Sequence, residues 1–347
     1  MARIRVAVVF GGRSSEHAVS CISAASVLRA LDPERYEALA VGITPDGRWV
    51  AADVEPSALE MHGRELPAVP TTGAEVALVS GGLRVLDRPG LPAGVDVAFP
   101  VLHGPFGEDG TVQGLFEMAG IPYVGSGVFA SAAAMDKQQM KALMRAEGLP
   151  IGAYAVLRPG DPVEVPFEGP WFVKPARAGS SMGISKVGTR DGLGAAVAEA
   201  RRHDPKVVVE AMITGREIEC GVLGGDPPTA SVPAEIHVHG HDFYDFDAKY
   251  HPDEGTTFDI PARLDAETTR MVQDMAVRTF RALDAEGLAR VDFFLTDRGL
   301  VVNEINTMPG FTPTSMYPQM WAASGLPYPD LVDRLVQLAL KRGTGLR

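Results

Sequence analysis

The chain has 347 residues, 46% of them hydrophobic, and a formal net charge of −12. That length allows two or three domains with real cores, and the acidic balance excludes a general nucleic-acid or anionic-membrane surface while leaving room for a local basic pocket. Cys21 and Cys220, far apart and outside any CxxC spacing, exclude a disulfide scaffold or thiolate metal site and point to a reducing cytoplasm; no stretch approaches the roughly 18–20 apolar residues of a membrane span, and the N-terminus reads as a short buried strand rather than a signal peptide.

IRVAVVFGG, residues 4–12, reads as a buried parallel-type strand closed by a glycine turn; a helix is predicted over 16–31, with Ser15 as its cap and Pro33 just beyond it. Residues 36–101 alternate short apolar runs with Pro and Gly turns and include the hairpin-like TPDGRWV at 44–50. A short helix, a glycine stop and a strand over 109–125 complete an N-terminal α/β unit with a small parallel sheet, predicted to end near Gly127. A helix over 135–148 opens a second, α+β unit at 128–219, whose extended segments IGAYAVL, WFVKPA, SKVG and KVVVEAMI surround a helix at 193–201. The third unit, 220–347, holds the aromatic and charged stretch HDFYDFDAKYHPD, predicted to be a mobile loop, then a helix at 266–283, a hairpin at 291–306 and a closing amphipathic helix at 329–342.

Three parts of this chain carry chemistry. Glu304 and Asn306 are two apart on a strand and share its face, and Asp292 faces them across the turn at 297–299. Three hard oxygen donors at one end of an apolar ribbon suit a magnesium ion held against nucleotide phosphates, since magnesium takes few protein ligands and keeps water and phosphate for the rest. In FVKPARAGSSMGISKV, Gly179, Ser180, Ser181 and Gly183 can turn N–H groups and hydroxyls inward as a phosphate cradle. The Walker order is missing; Lys174 precedes the loop in an apolar strand, Lys186 follows it, and Lys137 offers another positive group. Glu210 and Glu217 can accept hydrogen bonds from a ribose or contribute to metal binding. In IHVHGH, His237, His239 and His241 alternate as a strand would and could hold zinc, although no fourth ligand is evident.

The segments VVFGGRSSEHAVS, FPVLHGPFGEDGTVQG, FVKPARAGSSMGISKV, FYDFDAKY, ARVDFF and VNEINTMPGFTPTS run from residue 6 to residue 315 in an order that closely resembles the D-alanine–D-alanine ligase family of the ATP-grasp superfamily. The resemblance implies α/β and α+β architecture: an ATP-grasp fold with an N-terminal parallel-sheet domain preceding two nucleotide-clamping modules. It implies ATP as co-substrate, two Mg²⁺ ions with Mn²⁺ able to substitute, D-alanine as substrate, and a cytoplasmic homodimer in peptidoglycan precursor synthesis. Residue by residue, it places Glu16 on the ammonium of the first D-alanine and His103 near that alanine's carboxylate. Lys137 and Lys174 fall on ATP phosphates, Ser181 and Lys249 on the nucleotide, and Glu210 and Glu217 near adenine and ribose. Ser180, Glu16 and Tyr250 form a network that closes the lid. Arg290 stabilises the acyl phosphate and tetrahedral species, the Gly310 N–H meets the developing oxyanion, and Asp292, Glu304 and Asn306 hold the metal. Ser315 and Met316 meet the second alanine, Met316 standing where leucine is frequent; Pro313 and the FDAKY spelling depart modestly from the common loop. The rival readings are a ligase for another pair, including a depsipeptide former using D-lactate, and a nucleotide-binding regulatory protein. The latter predicts loss of Arg290, Glu304 or Asn306, and all three are present.

Overall fold

Among the described residues, parallel pairing in the first sheet joins three strands and is extended by an isolated parallel bridge from Ala98 to Tyr123. β1 (Ile4–Gly11) lies between β2 (Tyr36–Ile43) and β7 (Val97–Pro100) and runs parallel to both, with helix α1 (His17–Ala30) crossing from β1 to β2. β3 (Trp49–Ala51) then reverses through a tight turn in which Thr44 N–H donates to Arg48 O at 2.9 Å. So short a connection permits only a hairpin, because a parallel return needs about a dozen residues or more. β4 (Ala74–Val79), β5 (Gly82–Val85) and β6 (Pro92–Gly94) continue antiparallel, giving the order β6-β5-β4-β3-β2-β1-β7. The predicted parallel sheet is present as the core β2-β1-β7, and the antiparallel strands β3 to β6 extend it into a mixed sheet. The computed structural model describes residues 2–52, 54–61, 63, 65–86, 92–179, 182–238 and 256–345.

The two faces of β1 follow its period of two. Val6, Val8 and Phe10 join a core with α1 and with Leu331, Val332, Leu335 and Val336 of the helix Tyr328–Arg342. Ala7 and Val9 face the other way, toward Val112 and Phe116 of α2 (Thr111–Ala119). The chain's last helix thus completes the core of its first sheet. It is fixed there by Arg342, whose guanidinium donates to Gly125 O at 3.1 Å and pairs with Glu286 at 3.0 Å.

Two local predictions need correction. Ser15 does not cap α1: Glu16 takes the N-cap position, and its N–H donates to Ser14 Oγ at 3.1 Å. The helix predicted over 135–148 is preceded by a separate one, α3 (Val128–Met135), and begins anew as α4 (Lys137–Ala146). Asp136 is extended and breaks them, its carboxylate accepting the N–H groups of Gln138 and Gln139 at the start of α4.

The second sheet is antiparallel, in the order β10 (Ser185–Val187), β9 (Trp171–Pro175), β11 (Val207–Ala211), β8 (Tyr154–Leu157), and α5 (Leu193–Ala200) packs on it. The third runs β15 (Thr256–Asp259), β14 (Ala234–Val238), β12 (Arg216–Leu223), β16 (Leu288–Thr296), β17 (Gly299–Asn306), with β13 (Thr229–Ala230) also on β12. α4 and the helix Ala266–Ala282 cover it. β12 begins at Arg216, so the expected limit at 219/220 falls within a strand. A helix at Met316–Ala323 was not predicted; it is short, and Pro318 sits in its first turn, where the missing N–H costs nothing. Among the described residues no helix is long and apolar enough to cross a membrane.

Candidate active site

The hairpin of β16 and β17 pairs as its sequence demands, but with an irregularity at the useful place. Asp292 lies opposite Glu304 and Phe293 opposite Val302, so Asn303 is an extra residue bulged out of β17 just before Glu304. On the other side Asp292 lies opposite Glu219 of β12. Residues directly opposite in antiparallel strands share a face, so Glu219, Asp292 and Glu304 form a row of three carboxylates across three strands.

Arg290 answers part of that charge. Its guanidinium makes a bidentate pair with Asp292, both contacts 2.7 Å, and reaches Glu219 at 3.1 Å. Burial alone would pull this guanidinium's pKa down, but Asp292 and Glu219 outweigh it and hold the pKa well above its usual value. The Asn306 amide donates to Asp292 Oδ2 at 3.0 Å, leaving its own oxygen as the acceptor. A crowded row of carboxylates with an amide oxygen at its end, facing the two lysines described next, is a donor set suited to a hard divalent cation.

Those lysines come from the second unit. Lys137 opens α4 and donates to Ala178 O at 2.7 Å; Lys174 on β9 pairs with Glu210 Oε2 at 2.7 Å. Burial lowers the Lys137 pKa, with Glu304 opposing; burial also acts on Lys174, but Glu210 and Glu304 more than offset it and leave that pKa raised. Both ammonium groups therefore feel Glu304, so Lys137 at the start of α4 and Lys174 on the second sheet converge on the carboxylate row of the third. The same convergence ties down Glu210. Lys141 reaches its other oxygen at 3.1 Å, and although burial pushes the carboxyl up, the two lysines hold its pKa to about 2. Glu210 thus sits within β11 as the anion between two buried cations, whereas Glu217 lies on β12 opposite Phe294 and Ile236. Lys186 is exposed on β10.

The first unit contributes the other wall. Glu16 is 8% exposed, and its Oε2 would be 3.7 Å from a methyl group added at Gly179, one residue before Ser180. The β1–α1 turn and the glycine-rich loop therefore approach each other at the position where the resemblance joins Glu16 to Ser180. Gly104 has φ +76, and a side chain there would come within 2.8 Å of Ser14 Oγ and 3.1 Å of Glu16 Oε2. His103 is buried; Nδ1 lies 3.2 Å from Met308 O and Nε2 lies 3.3 Å from Ser23 Oγ. Burial lowers its pKa despite Glu16, so a neutral ring donates to Met308 O and accepts from Ser23, fixing the turn that leads to Gly310. Gly310 is itself crowded by Ser315, whose Oγ would lie 3.1 Å from an added Cβ. That hydroxyl accepts from Thr312 N–H at 3.1 Å, and Met316 begins the following helix half-buried.

One titrating group here was not singled out from sequence. Glu108 accepts from Gly104 N–H at 2.6 Å, and burial, then the charge of Glu16, push its carboxyl up to about 8. The fold therefore favours the protonated acid. Its contribution to stability is complete below the ordinary value of 4.5, shrinks as pH rises, and is gone above about 8. Glu108→Gln should leave the unfolding temperature unchanged near pH 5 and raise it near pH 9, by about 1–2 °C per kcal/mol relieved. Calorimetry of the substrate-free protein at both pH values checks this; an equal shift at both would exclude titration as the cause.

Residues 5–126 match the family described as D-ala D-ala ligase N-terminus, and residues 143–337 match D-ala D-ala ligase C-terminus. A D-alanine–D-alanine ligase of Mycobacterium avium (strain 104) is 56% identical over 365 aligned positions, covering 99% of this chain and 99% of that protein. The chain belongs to the D-alanine–D-alanine ligase family. Solved structures agree: the VanG D-Ala:D-Ser ligase from Enterococcus faecalis superimposes with a TM-score of 0.86 at 35% identity, over 97% of this chain and 100% of that one. A D-alanine–D-alanine ligase from Bacillus anthracis complexed with ATP gives 0.74 at 27% identity, over 98% of each. The three sheets are thus an ATP-grasp fold with its N-terminal domain.

Four positions given roles by likeness to D-alanine–D-alanine ligases, Ser180, Ser181, Lys249 and Tyr250, lie outside the described residues, as do His239 and His241. Of the histidine triplet only His237 is described. It lies near Glu235 and Asp259 on the outer strands of the third sheet. Their carboxylates are also ion-paired, the buried Glu235 with Arg216 at 2.6 Å and Asp259 with Arg263 at 3.1 Å. Two further site residues, Lys141 and Glu219, were missed in sequence although each had a signal. Lys141 is four residues after Lys137, on the same helix face, and Glu219 is two after Glu217 on the same strand face.

Proposed function

We propose that this chain joins two D-alanines in an ATP-dependent reaction that passes through D-alanyl phosphate and yields D-alanyl-D-alanine, ADP and phosphate for peptidoglycan precursors. The observation that carries this reading is the row of Glu219, Asp292 and Glu304 with the Asn306 amide at its end, in a chain of the D-alanine–D-alanine ligase family. A free carboxylate is a poor electrophile. In the first step a carboxylate oxygen of the first D-alanine attacks the terminal phosphorus of ATP, and ADP departs; Lys137 and Lys174 balance charge on the transferring group. Asp292, Glu304 and Asn306 would hold Mg²⁺, which when bound neutralises phosphate oxygens. Glu16 orients the first alanine through its ammonium, and Arg290 stabilises charge at the acyl phosphate. The deprotonated amine of the second D-alanine then forms a bond to the acyl carbon, the Gly310 N–H accommodates the oxyanion, and the bond to phosphate breaks. Ser315 holds the second alanine's carboxylate against the wall made by Met316. Ser180 and Tyr250 with Glu16 would shut water out of this chamber.

We further divide the chain into an N-terminal unit to 127, a central unit from 128 and a C-terminal unit beginning at the β11–β12 turn. The two buried, free cysteines suit a reducing cytoplasm. A homodimer is supported by apolar side chains left open on neighbouring helices, Met118 at 89% exposure and Phe129 at 50%.

The reading is tested by supplying ATP, Mg²⁺ and a panel of D-alanine, D-2-aminobutyrate, D-serine and D-lactate while following phosphate release and product mass. Phosphate release with no dipeptide at any pairing overturns it. D-serine belongs in the panel because VanG is a D-Ala:D-Ser ligase with this architecture. Within the panel, Met316→Leu should sharpen the preference for D-alanine over D-2-aminobutyrate, since the thioether changes rotamer more easily than a branched chain. A hydrophobic wall discriminates one methylene by about 1–3 kcal/mol. Ser315→Ala should weaken both nucleophiles alike. Competition measurements of kcat/KM check both, and an unchanged ratio in Met316→Leu would place the wall elsewhere.

A further inference from the structure

Lys141 stands at a junction none of the assigned roles uses. It is 3% exposed, and its ammonium makes two contacts that belong to different units: Glu210 Oε1 on β11 at 3.1 Å and the carbonyl oxygen of Asn303 on β17 at 3.2 Å. Asn303 is the bulged residue, the one that the β16–β17 register passes over between Val302 and Glu304. A bulge leaves its extra residue out of the ladder and re-aims the side chain that follows. Here the side chain that follows is Glu304. The other end of the contact is equally specific, because the Glu210 carboxylate that Lys141 holds is the one that also holds Lys174. A single buried ammonium therefore connects the backbone that aims a metal carboxylate to the anion that restrains a phosphate lysine.

We propose that Lys141 is a positioning residue that sets Glu304 and Lys174 relative to each other, so that the metal and the nucleotide phosphates are met together. The proposal rests on the placement of Lys174 at the phosphates. Burying an ammonium is costly, so its retention in the apolar layer of Met140 and Met144 calls for acceptors that repay it. Both are present, and both lead directly to the site. With Lys141 gone, Glu210 keeps Lys174 as its sole partner of this pair and draws it away from ATP, while the Asn303 carbonyl loses its donor and Glu304 loses its fixed direction.

The test compares Lys141→Met, Glu210→Gln and Lys174→Met with the parent enzyme, measuring KM for ATP, the Mg²⁺ concentration for half-maximal ligation and the unfolding temperature. Lys141→Met is expected to raise both KM for ATP and the Mg²⁺ requirement by about 10-fold or more, the size typical of residues supporting metal ligands. Glu210→Gln, which leaves the Asn303 contact in place, should raise KM for ATP with the Mg²⁺ requirement little changed. A Lys141→Met enzyme whose unfolding temperature drops while both constants stay within about 2-fold of the parent would make the residue merely structural and overturn the proposal. Lys174→Met separates the two levels: if it leaves KM for ATP unchanged, the placement of Lys174 fails rather than the role of Lys141. Should Lys141→Met not fold, Lys141→Arg keeps the charge but cannot put one nitrogen on both acceptors; a raised Mg²⁺ requirement supports the proposal and an unaltered one overturns it.

Discussion

Glu304→Gln and Asn306→Ala are expected to reduce dipeptide formation by at least about 100-fold, the scale on which electrostatic stabilisation at a reacting centre is usually lost, while cooperative unfolding survives. Both side chains are half-buried at the end of β17, and neither belongs to the apolar layer of Val302 and Ile305 that holds the hairpin in place. Glu304→Gln relieves the row shared with Asp292 and Glu219 but also removes the charge that Lys137, Lys174 and Arg290 feel, so the unfolding temperature should change little even as activity disappears. Raising Mg²⁺ should recover part of the loss in Asn306→Ala, where a neutral donor is gone, more than in Glu304→Gln. Ligation at the parental rate in either variant at limiting Mg²⁺ would remove these residues from the metal site.

Arg290→Met should fail in a different way. The guanidinium is a half-buried cation facing two carboxylates, and removing one partner from such a cluster costs up to about 3 kcal/mol. Both stability and ligation should therefore fall together. Arg290→Lys separates them: charge is kept, but the bidentate fork on Asp292 and the reach to Glu219 cannot both be reproduced by one ammonium. It should fold with a modest loss of stability and still lose about 10²–10³-fold in kcat. Unfolding curves alongside single-turnover measurement of acyl phosphate formation check this. A Lys variant with parental kcat would show that positive charge alone suffices.

Sequence reading recovered what obeys local periodicity. The β16–β17 hairpin, with Glu304 and Asn306 on one face and Asp292 opposite, follows from a period of two and a short turn, and the structure brings the three together. Helices at 193–200, 266–282 and 328–342 likewise announce themselves by apolar spacing and terminal signals. What sequence could not give is relation across units. The bulge at Asn303 is a mismatch between two strands, invisible in either alone. Lys141 reads as an ordinary helix lysine until Glu210 and Asn303 close over it, and Glu108 acquires its raised pKa only from the burial and neighbours supplied by distant segments. The hairpin-like TPDGRWV at 44–50 pairs as read, and the parallel core is present; the antiparallel course of β4 to β6 was not legible because apolar strands separated by Pro and Gly look alike whether the chain crosses over or doubles back.

The helix Tyr328–Arg342 lies against the first sheet, with Gln337 donating to the Tyr36 hydroxyl at the start of β2 at 2.9 Å and Arg35 pairing with Asp333 at 2.6 Å. During synthesis the first sheet must therefore wait for almost the entire polypeptide before its apolar face is covered. Contacts so far apart in sequence are slow to form, and until they do, Val6, Val8 and Phe10 are exposed to aggregation or to chaperones. A nascent chain stalled before residue 328 should remain open to protease in its N-terminal third, even where that segment already carries every strand of its own sheet.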